Sequence, residues 1–119
     1  MPALEASLSR LLDTPGLTGA ALVDAVTGLS YGTAGDAGEA GDAVECSELT
    51  TLLAEGLRAA GAEGELESVI VTSRRRHHVS LLVRRQGDPL LLTAGFDREL
   101  TNLALTIRQM TDVAEDVLT

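Results

Sequence analysis

The chain has 119 residues, a formal net charge of −9 and 45% apolar residues, which bounds it to one folded domain (1–119) around a single core rather than a disordered segment. All nine cations are arginine, Trp is absent, and Tyr31 and Phe96 are the only aromatic residues, so it has neither the basic field nor the stacking surface that nucleic-acid binding uses. A lone cysteine, Cys46, excludes an internal disulfide and a cysteine zinc site; no apolar run approaches the ~18 residues of a membrane span, and the acid-bearing N-terminus lacks the apolar stretch of a signal peptide, so a cytoplasmic address without membrane insertion is expected.

Pro2 suits the first turn of a helix, where its missing N–H costs nothing. Leu4, Leu8, Leu11 and Leu12 follow as one helical stripe, and Pro15-Gly16 ends it. Leu17–Asp24 is apolar on both faces and reads as a buried strand. After the turn at residues 25–28, residues 29–34 alternate apolar with small or polar residues, as a half-exposed edge strand does. Gly35–Glu45 reads as a flexible, Gly- and acid-rich loop without core residues. Its glycines recur every third position, which is neither a dinucleotide fingerprint nor a Walker loop, and its acids would repel phosphate.

A second helix is predicted from near Cys46 to Ala60, with Leu49, Leu52, Leu53 and Leu57 along it and Gly61 as its stop. Either Asp42 or Ser47 can cap its start. Three strands follow, at 66–73, 79–85 and 90–96; the first two are joined by Arg74-Arg75-Arg76-His77-His78 and the last two by residues 86–88. Asp97 is expected to cap a last helix whose apolar seam is Leu100, Leu103, Ile107, Met110, Ala114 and Val117. The order is thus α-β-β-α-β-β-β-α. Hairpins favour an antiparallel sheet, and strands apolar on both sides mean that helices cover both faces: the terminal helices on one, the middle helix on the other.

Candidate chemistry is sparse. His77 and His78 are adjacent, and neighbouring side chains of an extended segment point to opposite faces; beside three arginines they read as a solvated loop, so no catalytic residue, metal site or cofactor is expected. Glu63, Glu65 and Glu67 share one side of an extended segment, where repelling charge guards a strand edge. Cys46 sits near a helix start, where the dipole can lower a thiol pKa; no basic residue is near it in sequence, and a buried or incidental thiol is expected. Charge is polarised instead. Between residues 36 and 67 stand nine acids against Arg58 alone, and Arg74, Arg75, Arg76, Arg84 and Arg85 follow, a distribution suited to steering a protein partner. Gly56 inside the middle helix costs up to ~1 kcal/mol against Ala; close packing on the sheet or a helix–helix contact would each explain it.

The element order, together with Pro15-Gly16-Leu17, the hairpin Gly19-Ala20-Ala21-Leu22-Val23-Asp24 through Gly28, and the close Phe96-Asp97 with Asn102-Leu103-Ala104-Leu105, resembles the roadblock (dynein light-chain) family, of the bacterial type associated with small GTPases. The Gly- and acid-rich loop departs from that pattern. The resemblance implies a three-layer α/β/α domain with a five-stranded antiparallel sheet, pairing as a homodimer with its middle helices side by side and its third strands extending the sheet. Carried over here, it implies Leu49, Leu52, Leu53, Gly56, Val69 and Val71 as dimer or partner-interface residues. It further implies a non-enzymatic module that regulates or scaffolds a small Ras-like GTPase, with a nucleotide-independent adaptor for a signalling kinase or a cytoskeletal or motility complex as the alternative.

Overall fold

The computed structural model describes residues 2–62 and 64–117. The two segments apolar on both sides form its centre: β1 (Leu17–Asp24) and β5 (Leu90–Asp97) pair antiparallel, and both are almost wholly buried. Outside them lie β2 (Ser30–Gly35), next to β1, and β4 (Arg76–Val83) then β3 (Ser68–Thr72), next to β5. The sheet order is β2-β1-β5-β4-β3, antiparallel throughout. With α1 (Pro2–Arg10), α2 (Ala43–Ala59) and α3 (Leu103–Val117) the chain order is the predicted one.

Side chains alternate across a strand, and the register sorts them into two unlike faces. Ala20 and Leu22 of β1, Leu92, Ala94 and Phe96 of β5, and Val79 and Val83 of β4 meet Leu8, Leu11, Met110, Val113 and Ala114 beneath α1 and α3. Fully burying the larger of these side chains stabilises by ~1.5–3 kcal/mol each, so this face holds most of the core. On the other face Ala21, Val23 and Leu91 meet Ala25 and Ala40, with Ala43, Cys46 and Leu82 half-buried beside them.

Four expectations are corrected. The segment 35–45 is not a loop free of core residues: Ala37–Ala40 form a 3₁₀ turn and Ala40 is fully buried. That turn lies flat on the sheet because two strand positions lack side chains. A Cβ at Gly19 would overlap the Asp36 carbonyl, and one at Gly95 the Glu39 carbonyl. Second, β4 begins at Arg76, so His77 and His78 are strand residues, buried and half-buried, rather than a solvated loop; pairing with Phe96 and Gly95 of β5 draws them in. Third, Asp97 caps only a 3₁₀ turn, accepting from Glu99 N at 3.0 Å. The cap of α3 is Asn102, whose Oδ1 accepts from Leu105 N at 3.1 Å, and Leu100 therefore falls outside the helix and is exposed. Fourth, α1 ends at Arg10 and tightens into a 3₁₀ turn over Leu11–Asp13, before Pro15-Gly16 is reached.

Candidate functional site

Two stripes of residues run along α2. Asp42 caps the helix, its carboxylate accepting from Glu45 N at 3.0 Å and resolving the ambiguity of its start. The stripe that touches the sheet is made of small and polar residues: Ala43, Cys46, Ser47, Thr50 and Ala54, of which Ser47 and Thr50 are buried. Ser47 Oγ donates to the Ala25 carbonyl at 2.6 Å, which ties the helix to the end of β1. The leucines do not enter the core. Leu49, Leu52, Leu53 and Leu57 are 44%, 65%, 38% and 37% exposed. From residue 51 to 60 only Ala54 is even half-buried. An open cleft of about 330 Å³ runs beneath this half of the helix, lined by Thr51, Ala54, Leu57, Leu66, Leu82 and Arg84.

Gly56 belongs to that exposed half. A Cβ built there meets no atom within 4 Å, so packing against the sheet does not account for it. Val69 and Val71 pair with Ser80 and His78, which puts them on the α2 face of the sheet, half-buried and exposed respectively; Ile70, also exposed, points to the other face. β3 is one of the two outermost strands, and among the described residues no strand pairs with its outer edge. The structure thus brings the interface residues expected from the sequence to one side of the sheet, next to an open edge. Leu57, outside the expected set, continues the leucine stripe at i+4 from Leu53 and is exposed with it.

The remaining candidates have structural roles. His78 Nε2 lies 2.6 Å from the Ala40 carbonyl, and Arg76 Nε donates to Glu39 Oε2 at 3.2 Å; together they fasten the 35–42 segment, and with it the start of α2, to β4. His77 Nδ1 is 2.8 Å from Thr72 Oγ1. The two rings face opposite sides, as their adjacency in a strand requires. Cys46 has its thiol pushed up by burial and by the carboxylates of Asp42 and Glu45, so it remains protonated rather than becoming a thiolate. Glu63 lies outside the described residues; Glu65 pairs with Arg84 at 3.1 Å and Glu67 is exposed. Among the described residues, no group of three or more His, Cys, Asp or Glu is placed to hold a metal ion, and no helix is long and apolar enough to cross a membrane.

A five-stranded antiparallel sheet in the order β2-β1-β5-β4-β3, with the terminal helices on one face and the middle helix on the other, defines a three-layer α+β domain. Its fold is that of the roadblock proteins. MglB from Myxococcus xanthus is similar to it with a TM-score of 0.81 at 16% identity, over 98% of this chain and 86% of that one. A roadblock/LC7 domain from Streptomyces avermitilis gives 0.73 at 21% identity over 98% and 93%, and the gliding protein MglB from Thermus thermophilus 0.79 at 14% over 98% and 87%. At the level of sequence alone, no family model and no curated protein matches.

Proposed function

We propose that this chain is a homodimeric, non-enzymatic interaction module that regulates or scaffolds a small Ras-like GTPase. The observation that carries the reading is the exposed leucine stripe of α2 standing beside the open β3 edge, on one side of the sheet. Soluble domains seldom leave a contiguous apolar surface uncovered unless it is a site of interaction, and an apolar edge strand with free backbone groups is an aggregation hazard until it is paired. Self-pairing about a two-fold axis removes both at once, with Leu49, Leu52, Leu53 and Gly56 of the two helices meeting above Val69 and Val71. Gly56, open on its outer side, lets the two helix backbones approach.

The GTPase follows from the roadblock resemblance, whose bacterial type is associated with such proteins, and from the likeness in fold to MglB over nearly the whole chain. The acidic stretch preceding β3 and the arginines after it supply the charge asymmetry that orients a partner. Immobilised chain exposed to lysate of its source organism, in parallel with GDP and with a non-hydrolysable GTP analogue, tests the reading. Retention of a Ras-like GTPase that depends on the nucleotide supports it. The same partners in both samples, with no GTPase among them, contradict it and favour the nucleotide-independent adaptor.

A further inference from the structure

β3 carries opposite charges at its two ends. Glu65 and Glu67 precede Ser68–Thr72, and Arg74 and Arg75 follow it, with only uncharged residues between. All four are exposed. Glu65 is engaged by Arg84; among the described residues Glu67, Arg74 and Arg75 make no side-chain hydrogen bond or ion pair within the chain.

The sheet has a second open edge, β2. Pairing β3 of one copy with β2 of another would be heterologous and would propagate into a ring or a filament. β2 (SYGTAG) contains no charged residue and is flanked closely by one charge, the exposed Asp36, so it can answer only one end of β3. A second β3, antiparallel about a two-fold axis perpendicular to the sheet, offers the opposite charge at both ends. Such an axis preserves the faces of the sheet, so a central residue opposes its own copy. With the axis at Ile70, Ser73, the last residue before the Arg74-Arg75 turn, lies opposite Glu67 of the second copy. That turn is closed by Ser73 N on the Arg76 carbonyl, and with strands ~4.8 Å apart the acid sits beside its start, within reach of an arginine side chain. An axis at Val71 sets the same Glu67 level with the turn itself, and each further step of slippage moves it by about 6.6 Å.

Resting on the self-pairing reading above, we propose that Glu67 and the Arg74–Arg75 pair are an electrostatic register key for a second copy of this chain, selecting closed β3–β3 pairing centred on Ile70 or Val71 over slipped or open-ended pairing. The key uses juxtaposition of charge, where like signs are costly and opposite signs permissive.

Charge swapping separates this from the repulsion of two acidic protomers. Arg74→Glu/Arg75→Glu makes the chain more acidic and Glu67→Arg makes it less so. General repulsion would weaken self-association of the first variant and strengthen that of the second; the key predicts that both weaken. Sedimentation equilibrium of the full chain at physiological ionic strength is expected to show each variant self-associating about tenfold or more weakly, and an equimolar mixture recovering the affinity of the unchanged chain, because every end again meets its opposite. The neutralised Arg74→Gln/Arg75→Gln variant gives a smaller loss in the same direction, and thermal melts of each variant establish that it is folded. Either swapped variant pairing as tightly as the unchanged chain, or a mixture that does not recover, overturns the key while leaving the dimer standing. An unchanged chain that stays monomeric at every concentration overturns the self-pairing itself.

Discussion

The two faces of the sheet are made of different materials. Beneath α1 and α3 the contact is large and aliphatic: Leu8, Leu11, Leu92, Phe96 and Met110 are fully buried, with no help from another chain. Beneath α2 the contact is thin, made of Ala43, Cys46, Ser47, Thr50 and the 3₁₀ turn, while the large side chains of the helix face outward. The first face stabilises the protomer. The second positions a helix and an open strand, and leaves its apolar surface exposed. A single domain can thus place apolar residues both inside and outside its own core, and which stripe goes where cannot be told from hydrophobicity alone.

The sharpest way to break that comparison is to truncate one large side chain on each face. Phe96→Ala should cost about 3–5 kcal/mol in denaturant unfolding, at any protein concentration. Leu52→Ala should leave protomer stability within about 0.5 kcal/mol, read under dissociating conditions, and show its effect in self-association. A comparable loss for Leu52→Ala in the dissociated protomer would mean that the leucines serve the core after all.

A second test probes how the thin face is held. Gly95→Ala puts a Cβ into the Glu39 carbonyl, backbone that cannot rotate away as a side chain would. The expected loss is about 1–3 kcal/mol, with the start of α2 losing amide protection before α1 or α3. Uniform loosening of the whole molecule would show that the 3₁₀ turn is not what seats the helix.

Gly56→Ala sharpens the comparison in the opposite direction. With space around it, the methyl group should stabilise the protomer by up to about 1 kcal/mol through helix propensity, and weaken self-association by keeping two helices apart. Unfolding midpoints and sedimentation on the same sample separate the two effects. A gain in both would remove the helix–helix explanation for this glycine.

The smallest effect concerns pH. Asp24 ends β1 and caps the following turn, accepting from Thr27 N at 2.9 Å and Val26 N at 2.8 Å. Those backbone donors, Thr27 first, hold its carboxyl below the ordinary value of 3.8. A lowered folded-state pKa contributes stability that is present above the unfolded value and is lost as pH falls through the folded one. Between pH 5 and 2 the unfolding free energy should therefore decline, and Asp24→Asn should decline less steeply over the same range. Parallel pH profiles for the two proteins would assign the acid sensitivity to other carboxylates.

Much of this architecture was legible beforehand, for a physical reason. Leu17–Asp24 and residues 90–96 are apolar on both faces, which only central strands tolerate, and they are β1 and β5. Residues 29–34 alternate, and they form an edge. The misreadings also share a cause. His77 and His78 are polar and read as a solvated loop, but pairing with β5 draws them into the sheet, and Thr72 and the Ala40 carbonyl supply the partners that their polarity needs. Residues 35–45 are rich in Gly and acid, yet Ala40 is buried because Gly19 and Gly95, distant in sequence, open a seat for it. Such long-range complementarity leaves no local signature. The interface candidates on α2 were legible as a leucine stripe. That they face outward was not, since the neighbouring stripe that packs inward consists of Ser, Thr, Cys and Ala, residues ordinarily assigned to a surface.

Amide hydrogen exchange measured across a range of protein concentrations tests most directly whether the α2–β3 face is completed by a second copy. The account predicts that amides of β3 and of the exposed half of α2 gain protection as concentration rises, while those of β1, β5 and α3 are protected throughout. Exchange in β3 and α2 that stays rapid at every concentration, beside an unchanged core, would contradict it.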